Sequence, residues 1–226
     1  MYDKKDRSMG AKFSSAIFIF IATLIPSWLM FAEAKDIIVW LRPYKIHGDL
    51  VHQIILSSCL GFYFLRILVT LFVFMRRKVR WIEAIIVSPC YILMFYWFAY
   101  SISDKPQMFG TVVIIGILLY LIGSYLNTYS EYNRHIWKKQ EKNREHLYTE
   151  GLFRYSMHIN YFGDSLLFIG LAMITENITS LLIPAIVIFN YLVIFIPKQD
   201  RYLHKKYGKE LEQYARRTKK FIPFLY

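Results

Sequence analysis

The chain has 226 residues, of which 56% are hydrophobic and 18% aromatic, and its mean hydropathy is +0.31. Soluble domains average about 45–50% apolar residues, so this composition excludes an ordinary soluble domain and indicates an integral membrane protein. The two cysteines, Cys59 and Cys90, both lie in apolar runs, which excludes a disulfide framework and a paired-cysteine metal site. The formal net charge is +12, and its distribution along the chain decides what it means.

The first half of the chain carries four apolar runs of the length that a membrane helix needs, about 20 residues. We expect spans at Phe13–Ala34, Val51–Met75, Ile82–Ser101 and Phe109–Asn127, joined in part by loops at Asp36–Gly48 and Ser103–Met108. The first run is too long for a signal peptide and lacks a clean cleavage site. Arg66 lies inside the second span, where an arginine either extends to the membrane surface or lines a polar cavity.

A polar segment, Thr128–Glu150, separates these spans from a shorter apolar run. Gly163–Thr175 has only 13 residues, and at about 1.5 Å per residue it cannot cross a hydrocarbon core of about 30 Å. A helix that begins near His158 can just cross. Asn160 and Asp164, four residues apart, then share one face of that helix at membrane depth, where polar side chains are costly and need a function.

A sixth span is expected at Ser180–Ile196, followed by a polar tail, Lys198–Tyr226, with a helical pattern in its middle. Lysine and arginine concentrate in the N-terminus, in residues 76–80, in residues 128–154 and in the tail, and they are scarce in the alternate loops. The positive-inside rule therefore predicts an all-α polytopic membrane bundle of about six helices, with both termini cytoplasmic. The net positive charge therefore reflects the membrane topology and would also attract anionic membrane lipids. A nucleic-acid partner is not expected.

We expect one integral membrane domain over residues 1–226, with a four-helix half at 1–127 and a cofactor-binding half at 128–226. Asn127 and Glu131 share a helix face at the end of the fourth span, and Arg134 extends it. Amide, carboxylate and basic groups together suit a phosphate-bearing cofactor. The chain has no Rossmann or P-loop glycine motif, no HExxH and no GxSxG. The alternative is that these polar groups are only structural. The end of the fourth span is then a fraying helix end, Asn160 and Asp164 make an interhelical hydrogen bond, and the tail is an amphipathic helix on the membrane surface.

Several motifs in residues 120–226 resemble the C-terminal signature of the steroid 5α-reductases and sterol reductases. The matching residues are Gly151-Leu152-Phe153, Asn160-Tyr161-Phe162-Gly163-Asp164, the segment Asn127–Tyr132, and in the tail Asp200-Arg201, Lys206-Tyr207-Gly208, Tyr214 and Ile222-Pro223. Isoprenylcysteine and phospholipid methyltransferases are more distantly similar.

The resemblance implies an NADPH-dependent reduction of a carbon–carbon double bond in a lipophilic, steroid- or isoprenoid-like substrate that enters from the bilayer. The resemblance further implies that Asn160 and Asp164 bind the nicotinamide end of NADPH. It implies that Asn127, Glu131 and Arg134 bind the ribose and phosphates. We also place Tyr155, His158 and Tyr202 at the cofactor. The proton donor lies on an early helix, and the candidates, without a ranking, are Tyr63, Tyr91, Tyr96 and Tyr100.

The rival hypothesis is an S-adenosylmethionine-dependent methyltransferase. This chain keeps His158, Tyr161 and Gly163 of the methyltransferase pattern. It has Met157 and Ile159 in place of the Arg and Pro, and it lacks the Glu pair that follows the last span. A third hypothesis is a non-enzymatic membrane protein. The resemblance places the site on the cytoplasmic side of a bacterial inner membrane or the endoplasmic reticulum, and no metal is expected.

Overall fold

A computed structural model describes residues 8–31, 49–75, 77–102 and 110–226. Within these ranges the secondary structure is helical, apart from one isolated bridge between Ser156 and Lys219. The predicted loops Asp36–Gly48 and Ser103–Met108 lie outside the described residues. The main helices are α1 (Met9–Phe31), α2 (Leu50–Phe74), α3 (Glu83–Tyr100), α4 (Thr111–Lys139), α5 (Ile159–Ile174), α6 (Ile178–Tyr207) and α7 (Lys209–Arg217).

Five of these helices are long and apolar enough to cross a membrane, namely α1, α2, α3, α4 and α6. The predicted all-α, multi-pass membrane protein is therefore confirmed. The expected fifth span is shorter than predicted: α5 has 16 residues and a length of about 24 Å. It begins at Ile159 because the backbone amides of Met157 and His158 donate instead to the carbonyls of Lys219 and Lys220.

Two helices continue past the predicted membrane spans. Beyond Asn127, where the fourth predicted span ends, α4 continues through the polar segment to Lys139. Beyond Ile196, where the last predicted span ends, α6 runs on to Tyr207, and it contains a widened, π-helical turn at Tyr191–Phe195. Polar side chains of both extensions are thereby carried on rigid helices and not on loops.

The chain divides into two compact units, one of Met1–Ile117 with Leu171–Leu181, and one of Leu118–Gly170 with Leu182–Tyr226. In the first unit α1 contacts α2 through aromatic pairs, with ring centroids 5.1 Å apart for Phe13 and Phe72 and 5.3 Å apart for Phe20 and Phe64. Large apolar side chains of α1 such as Leu24 and Trp28 stay exposed. An exposed apolar helix face is expected where the solvent is lipid.

In the second unit α4 and α5 pack with almost no side chain between them. A Cβ atom built on Gly163 would lie 2.8 Å from both the amide nitrogen of Asn127 and the carbonyl oxygen of Gly123. A Cβ atom on Gly123 would overlap the backbone of Gly163 and Leu167. Small residues allow such close backbone approach between membrane helices. The approach brings the polar end of α4 directly against the start of α5.

Lys138, near the end of α4, is buried and holds the connection that follows. Its ammonium donates to the carbonyls of Asn143 at 3.1 Å and Arg144 at 3.0 Å, and also to that of His146. A further hydrogen bond of 3.2 Å reaches the hydroxyl of Tyr207 on α6. One cation therefore satisfies three backbone carbonyls and joins the connection to α6.

The segment from Ser156 onward is held by the last residues of the chain. The Ser156 hydroxyl donates to the carbonyl of Phe221 at 2.7 Å, and Met157 N donates to the carbonyl of Lys219 at 2.8 Å. Met157 also packs in an apolar cluster with Leu211 and Tyr214 of α7. The tail is therefore part of the fold of this region.

Candidate functional site

The predicted residues on α4 and α5 form one chain of hydrogen bonds across the close helix contact. Asn127 Nδ2 donates to the Asn160 carbonyl at 3.1 Å, and Asn160 Nδ2 donates to Glu131 Oε1 at 3.0 Å. The other oxygen of Glu131 accepts from the Arg134 guanidinium in an ion pair. The structure thus brings together four residues that the sequence placed at a cofactor. We call Asn127, Glu131, Arg134 and Asn160 the α4–α5 cluster.

Neighbouring groups contact both the carboxylate and the guanidinium of the α4–α5 cluster. The Glu131 side chain is only 12% exposed, and it is compensated by a guanidinium and an amide. The Arg134 guanidinium lies 5.6 Å from the centroid of the Phe153 ring, within cation–π distance. A guanidinium has five N–H donors, and its hydrogen bond to Glu131 uses one of them, so Arg134 retains donors for a second anion.

A second polar group surrounds His158, which is 2% exposed. Its Nε2 atom lies 2.8 Å from Asp200 Oδ1 on α6, and the other oxygen of Asp200 lies 3.1 Å from the Lys220 ammonium. The backbone amide of His158 donates to the Lys220 carbonyl at 3.1 Å. The ring and the backbone of His158 are therefore both held by α6 and the tail.

Three stacked rings lead from His158 toward Asp164. The His158 and Tyr161 rings are 5.7 Å apart with an interplanar angle of 12°, and the Tyr161 and Tyr191 rings are 4.7 Å apart at 17°. The Tyr191 hydroxyl donates to Asp164 Oδ2 at 3.3 Å. The stack therefore places Asp164 at one end and the imidazole at the other, along the first two turns of α5.

The two predicted tyrosines of the cofactor site lie at the surface. Tyr155 is 41% exposed with its ring 5.5 Å from that of Phe224, and Tyr202 is 56% exposed on α6. Their accessible rings contrast with the buried position of His158. The structure does not draw them into the hydrogen bonds described above.

The four candidate proton donors lie in the first unit and fall into two pairs. Tyr63 is 1% exposed, its ring is 5.8 Å from that of Tyr91, and the Arg66 guanidinium lies 4.9 Å from the Tyr63 centroid. Tyr96 and Tyr100 stack on each other at 6.3 Å. Arg66 is itself buried and does not extend to the surface. Tyr63 thus carries a cation on its ring.

Two ionisable groups of α7 fix the tail to the connection before α5. Burial raises the pKa of Tyr214 well above its ordinary value, so the phenol stays protonated and donates to the Phe153 carbonyl at 2.5 Å. The backbone N–H of Leu147 lowers the pKa of Glu210, and the neighbouring His146 imidazole lowers it further. Glu210 Oε2 accepts from Leu147 N at 2.8 Å.

Sequence reasoning missed the partners that hold the predicted residues. Asp200, Lys220 and Tyr191 each contact a predicted site residue, yet none was assigned a role. Asp200 stands within a tail motif, so a signal was present. Lys220 and Tyr191 carry no motif: the contact of Lys220 with His158 depends on the tail folding back, and that of Tyr191 with Asp164 depends on α6 packing against α5. Across the described ranges, no three His, Cys, Asp or Glu side chains converge on a position for a metal ion.

The fold and the site define a class of protein: a multi-pass helical membrane protein with a polar, hydrogen-bonded site where two helices meet near one end. The chain belongs to DUF1295, a family described as proteins of unknown function, whose model matches residues 64–218.

The curated relatives include two kinds of enzyme. The chain is 26% identical over 137 residues to 3-oxo-5-alpha-steroid 4-dehydrogenase 2 of Rattus norvegicus, which covers 60% of this chain and 52% of that protein. It is 28% identical over 130 residues to 3-oxo-5-alpha-steroid 4-dehydrogenase 1 of Bos taurus, covering 58% and 49%. The protein-S-isoprenylcysteine O-methyltransferase of Saccharomyces cerevisiae is 26% identical over 133 residues, covering 57% and 54%.

The chain spans about half the length of these relatives. The predicted resemblance to steroid 5α-reductases and to isoprenylcysteine methyltransferases is confirmed. The relatives support a membrane reductase or methyltransferase.

Proposed function

We propose that this protein is an NADPH-dependent reductase that saturates a carbon–carbon double bond in a lipophilic, steroid- or isoprenoid-like substrate. The observation that carries the proposal is the α4–α5 cluster, in which the two motifs of the reductase signature meet through direct hydrogen bonds. The first relatives reported above are steroid dehydrogenases, which favours the same reaction class.

The residues present fit a phosphate-bearing cofactor. Arg134 combines an ion pair to Glu131 with a side chain that is 39% exposed, so its remaining N–H donors are accessible to a phosphate. Lys198 and Arg201 add exposed positive charge on α6. NADPH supplies a hydride when it is bound.

In this proposal, side chains of α4 and α5 bind the cofactor and orient its nicotinamide end. Asn160 and Asp164 lie one helical turn apart on α5 and present an amide and a carboxylate to the nicotinamide end. Glu131 fixes the Asn160 amide, and Asn127 fixes the backbone of the same residue. Such preorganisation matters because the reacting carbons must be held close together with little freedom.

A tyrosine must supply a proton to the polarised substrate. We take Tyr63 as the first candidate, because a guanidinium over its ring stabilises the negative charge that remains after proton transfer. Tyr91, Tyr96 and Tyr100 remain alternatives. Comparing Tyr→Phe variants at all four positions, with NADPH affinity measured alongside turnover, identifies the donor as the variant that binds but does not reduce.

The second candidate function is a methyl transfer from S-adenosylmethionine. It is favoured by the yeast methyltransferase relative and by the retained His158, Tyr161 and Gly163. Arg134 fits either ligand, because S-adenosylmethionine carries a carboxylate, but only NADPH offers phosphates that would use several of its N–H donors.

Isothermal titration calorimetry on the purified protein in detergent separates the two functions. We expect NADPH to bind more tightly than S-adenosylmethionine, and Arg134→Gln to weaken NADPH binding by more than tenfold. Arg216→Gln, an exposed arginine on α7, is the matched control and should leave the affinity unchanged. A preference for the methyl donor would overturn the reductase proposal, and binding of neither ligand would favour a non-enzymatic role.

A further inference from the structure

We propose that Asp200 and Lys220 are positioning residues of the ligand site, which act by fixing the imidazole of His158. The inference rests on the proposed function in that His158 is taken to face the cofactor. It goes further by assigning a role to a carboxylate on α6 and to a lysine near the end of the chain.

The geometry holds His158 from three directions. Asp200 Oδ1 lies 2.8 Å from the ring Nε2, and Tyr161 stacks on the ring at 5.7 Å. The backbone amide of His158 is bound to the Lys220 carbonyl at 3.1 Å. A hydrogen bond from one ring nitrogen to a carboxylate sets the orientation and the tautomer of an imidazole, so Asp200 sets both for His158.

Lys220 contacts both His158 and Asp200. Its backbone holds the backbone of His158, and its ammonium lies 3.1 Å from Asp200 Oδ2. The carboxylate is thereby shared between an imidazole and an ammonium, each on its own oxygen. A shared carboxylate cannot rotate away from Nε2 without losing the second contact, so Lys220 fixes Asp200 as Asp200 fixes His158.

The two positioning residues differ in how strongly they should act. The Asp200 side chain is 22% exposed and contacts a buried ring directly, whereas the Lys220 side chain is 46% exposed. Exposed ion pairs contribute little, while a hydrogen bond to a charged group in a buried site contributes more. We therefore expect a larger effect from Asp200 than from Lys220.

Affinity measurements on a double-mutant cycle test the inference. With NADPH as the probe, Asp200→Ala should weaken binding about tenfold and Lys220→Ala about threefold. Lys220→Arg should restore the wild-type affinity, because it keeps the cation. Lys219→Ala is the matched control, since its exposed neighbouring side chain is replaced and its backbone carbonyl remains.

The cycle distinguishes positioning from a general loss of structure. In a His158→Gln background, Asp200→Ala should cause no further loss of affinity, because its effect passes through the missing imidazole. Equal losses in both backgrounds would overturn the inference, as would a Lys220→Arg variant no better than Lys220→Ala. Thermal unfolding of each variant shows whether it folds. If Asp200→Ala does not fold, the Lys220→Ala and Lys220→Arg pair decides.

A measurement without ligand keeps this inference separate from the proposed function. Diethyl pyrocarbonate acylates accessible imidazole nitrogens, and peptide mass spectrometry reports the rate at His158. We expect slow acylation in the wild type, a rise of at least about threefold in Asp200→Ala and Lys220→Ala, and protection in Lys220→Arg. Unchanged rates would refute the positioning role. This pattern together with no binding of NADPH would leave the positioning role standing and remove the proposed cofactor.

Discussion

Gly123 and Gly163 meet backbone to backbone, and this contact sets where the polar residues of α4 and α5 can reach each other. A methyl group on Gly163 would lie 2.8 Å from the Asn127 amide nitrogen, which is closer than Cβ atoms pack against backbone. Asn127 is the residue whose side chain binds the carbonyl of Asn160. The geometry of the candidate site therefore depends directly on the close contact between the two helices.

Gly163→Ala should separate the two helices and disrupt the α4–α5 cluster. We expect a loss of about 1–3 kcal/mol in the free energy of unfolding from overpacking, and a loss of ligand binding by calorimetry. Gly61→Ala on α2 is the matched control, because a Cβ atom there meets nothing within 4 Å. The control should be neutral or slightly stabilising, since alanine favours a helix. A Gly163→Ala variant that binds ligand normally would show that the close approach is not required.

The polar pair of α5 is expected to serve binding more than folding. Asn160→Ala and Asp164→Ala should abolish NADPH binding while the thermal unfolding transition stays cooperative, with a stability loss of about 1 kcal/mol per lost hydrogen bond. Asn190→Ala on α6 is the control, because that amide donates to the carbonyl of Ile186 in its own helix. If both α5 variants bind the cofactor as the wild type does, the pair is structural and the proposed site is wrong.

Removal of the Lys138 ammonium should destabilise the second unit. Lys138→Met keeps most of the side-chain volume but leaves the carbonyls of Asn143, Arg144 and His146 without their shared donor. A hydrogen bond contributes about 1 kcal/mol, and three are lost at these part-buried carbonyls, so we expect a loss of about 3 kcal/mol, measured by thermal or denaturant unfolding. Lys139→Met, which replaces an exposed neighbour, should have little effect. Equal stability of the two variants would mean that water replaces the ammonium without cost.

The Glu210 contact should make stability depend on acid pH. Its pKa is lower in the folded chain than the ordinary value of 4.5 because it accepts from the Leu147 amide. The folded state therefore binds this proton less readily than the unfolded state, so the contribution is present above about pH 5 and is lost as the pH falls through the folded pKa.

Glu210→Gln tests this dependence. The melting temperature of the variant should be lower than that of the wild type at neutral pH, and the difference should shrink as the pH approaches 3. Glu212→Gln on the same helix is the control, because its side chain is 55% exposed. A difference that stays constant over this pH range would refute the contribution.

We propose an orientation in the membrane from the charge pattern, with the termini on the cytoplasmic side, and cysteine labelling can measure it. Lys142→Cys and Ile178→Cys, each in a chain without Cys59 and Cys90, place single thiols in the polar connection and at the first residue of α6. Both positions are exposed, Ile178 by 78%. In intact bacterial cells a membrane-impermeant maleimide should label only the thiol at position 178. Labelling of position 142 in intact cells would reverse the proposed orientation.

The sequence predicted the helices better than their ends. Apolar length identified α1, α2, α3, α4 and α6, because the hydrocarbon core demands long apolar runs. The spacing of Asn127, Glu131 and Arg134 indicated that the helix continues past the fourth span, and α4 does continue to Lys139. Its end could not be predicted, because tertiary contacts such as those of Lys138 stabilise it. The predicted start of α5 near His158 agrees with the observed start at Ile159, where the preceding amides bind carbonyls of the tail.

The candidate site divides in the same way. The i, i+4 spacing predicted one shared face for Asn127 and Glu131, and both side chains do contact Asn160. Asp164 instead accepts from Tyr191 on α6. The contact between the faces depends on two glycines whose role becomes visible only when the helices are packed. The sequence identified Asp200 as part of a motif. It could not predict the pairing of Asp200 with His158, because the two residues are 42 positions apart and no local pattern indicates the contact.

The hydrogen bonds of Ser156 also bear on how the protein is made. Its hydroxyl binds the carbonyl of Phe221, a residue 65 positions later in the chain. At about 5–20 residues per second, translation takes roughly 3–13 s to supply that partner. During this interval α5 can enter the bilayer, but His158 has no tail to hold it. A chain truncated before the tail would keep the hydrogen bonds of the α4–α5 cluster but lack the contacts that hold His158, so we expect it to bind the ligand more weakly than the full chain.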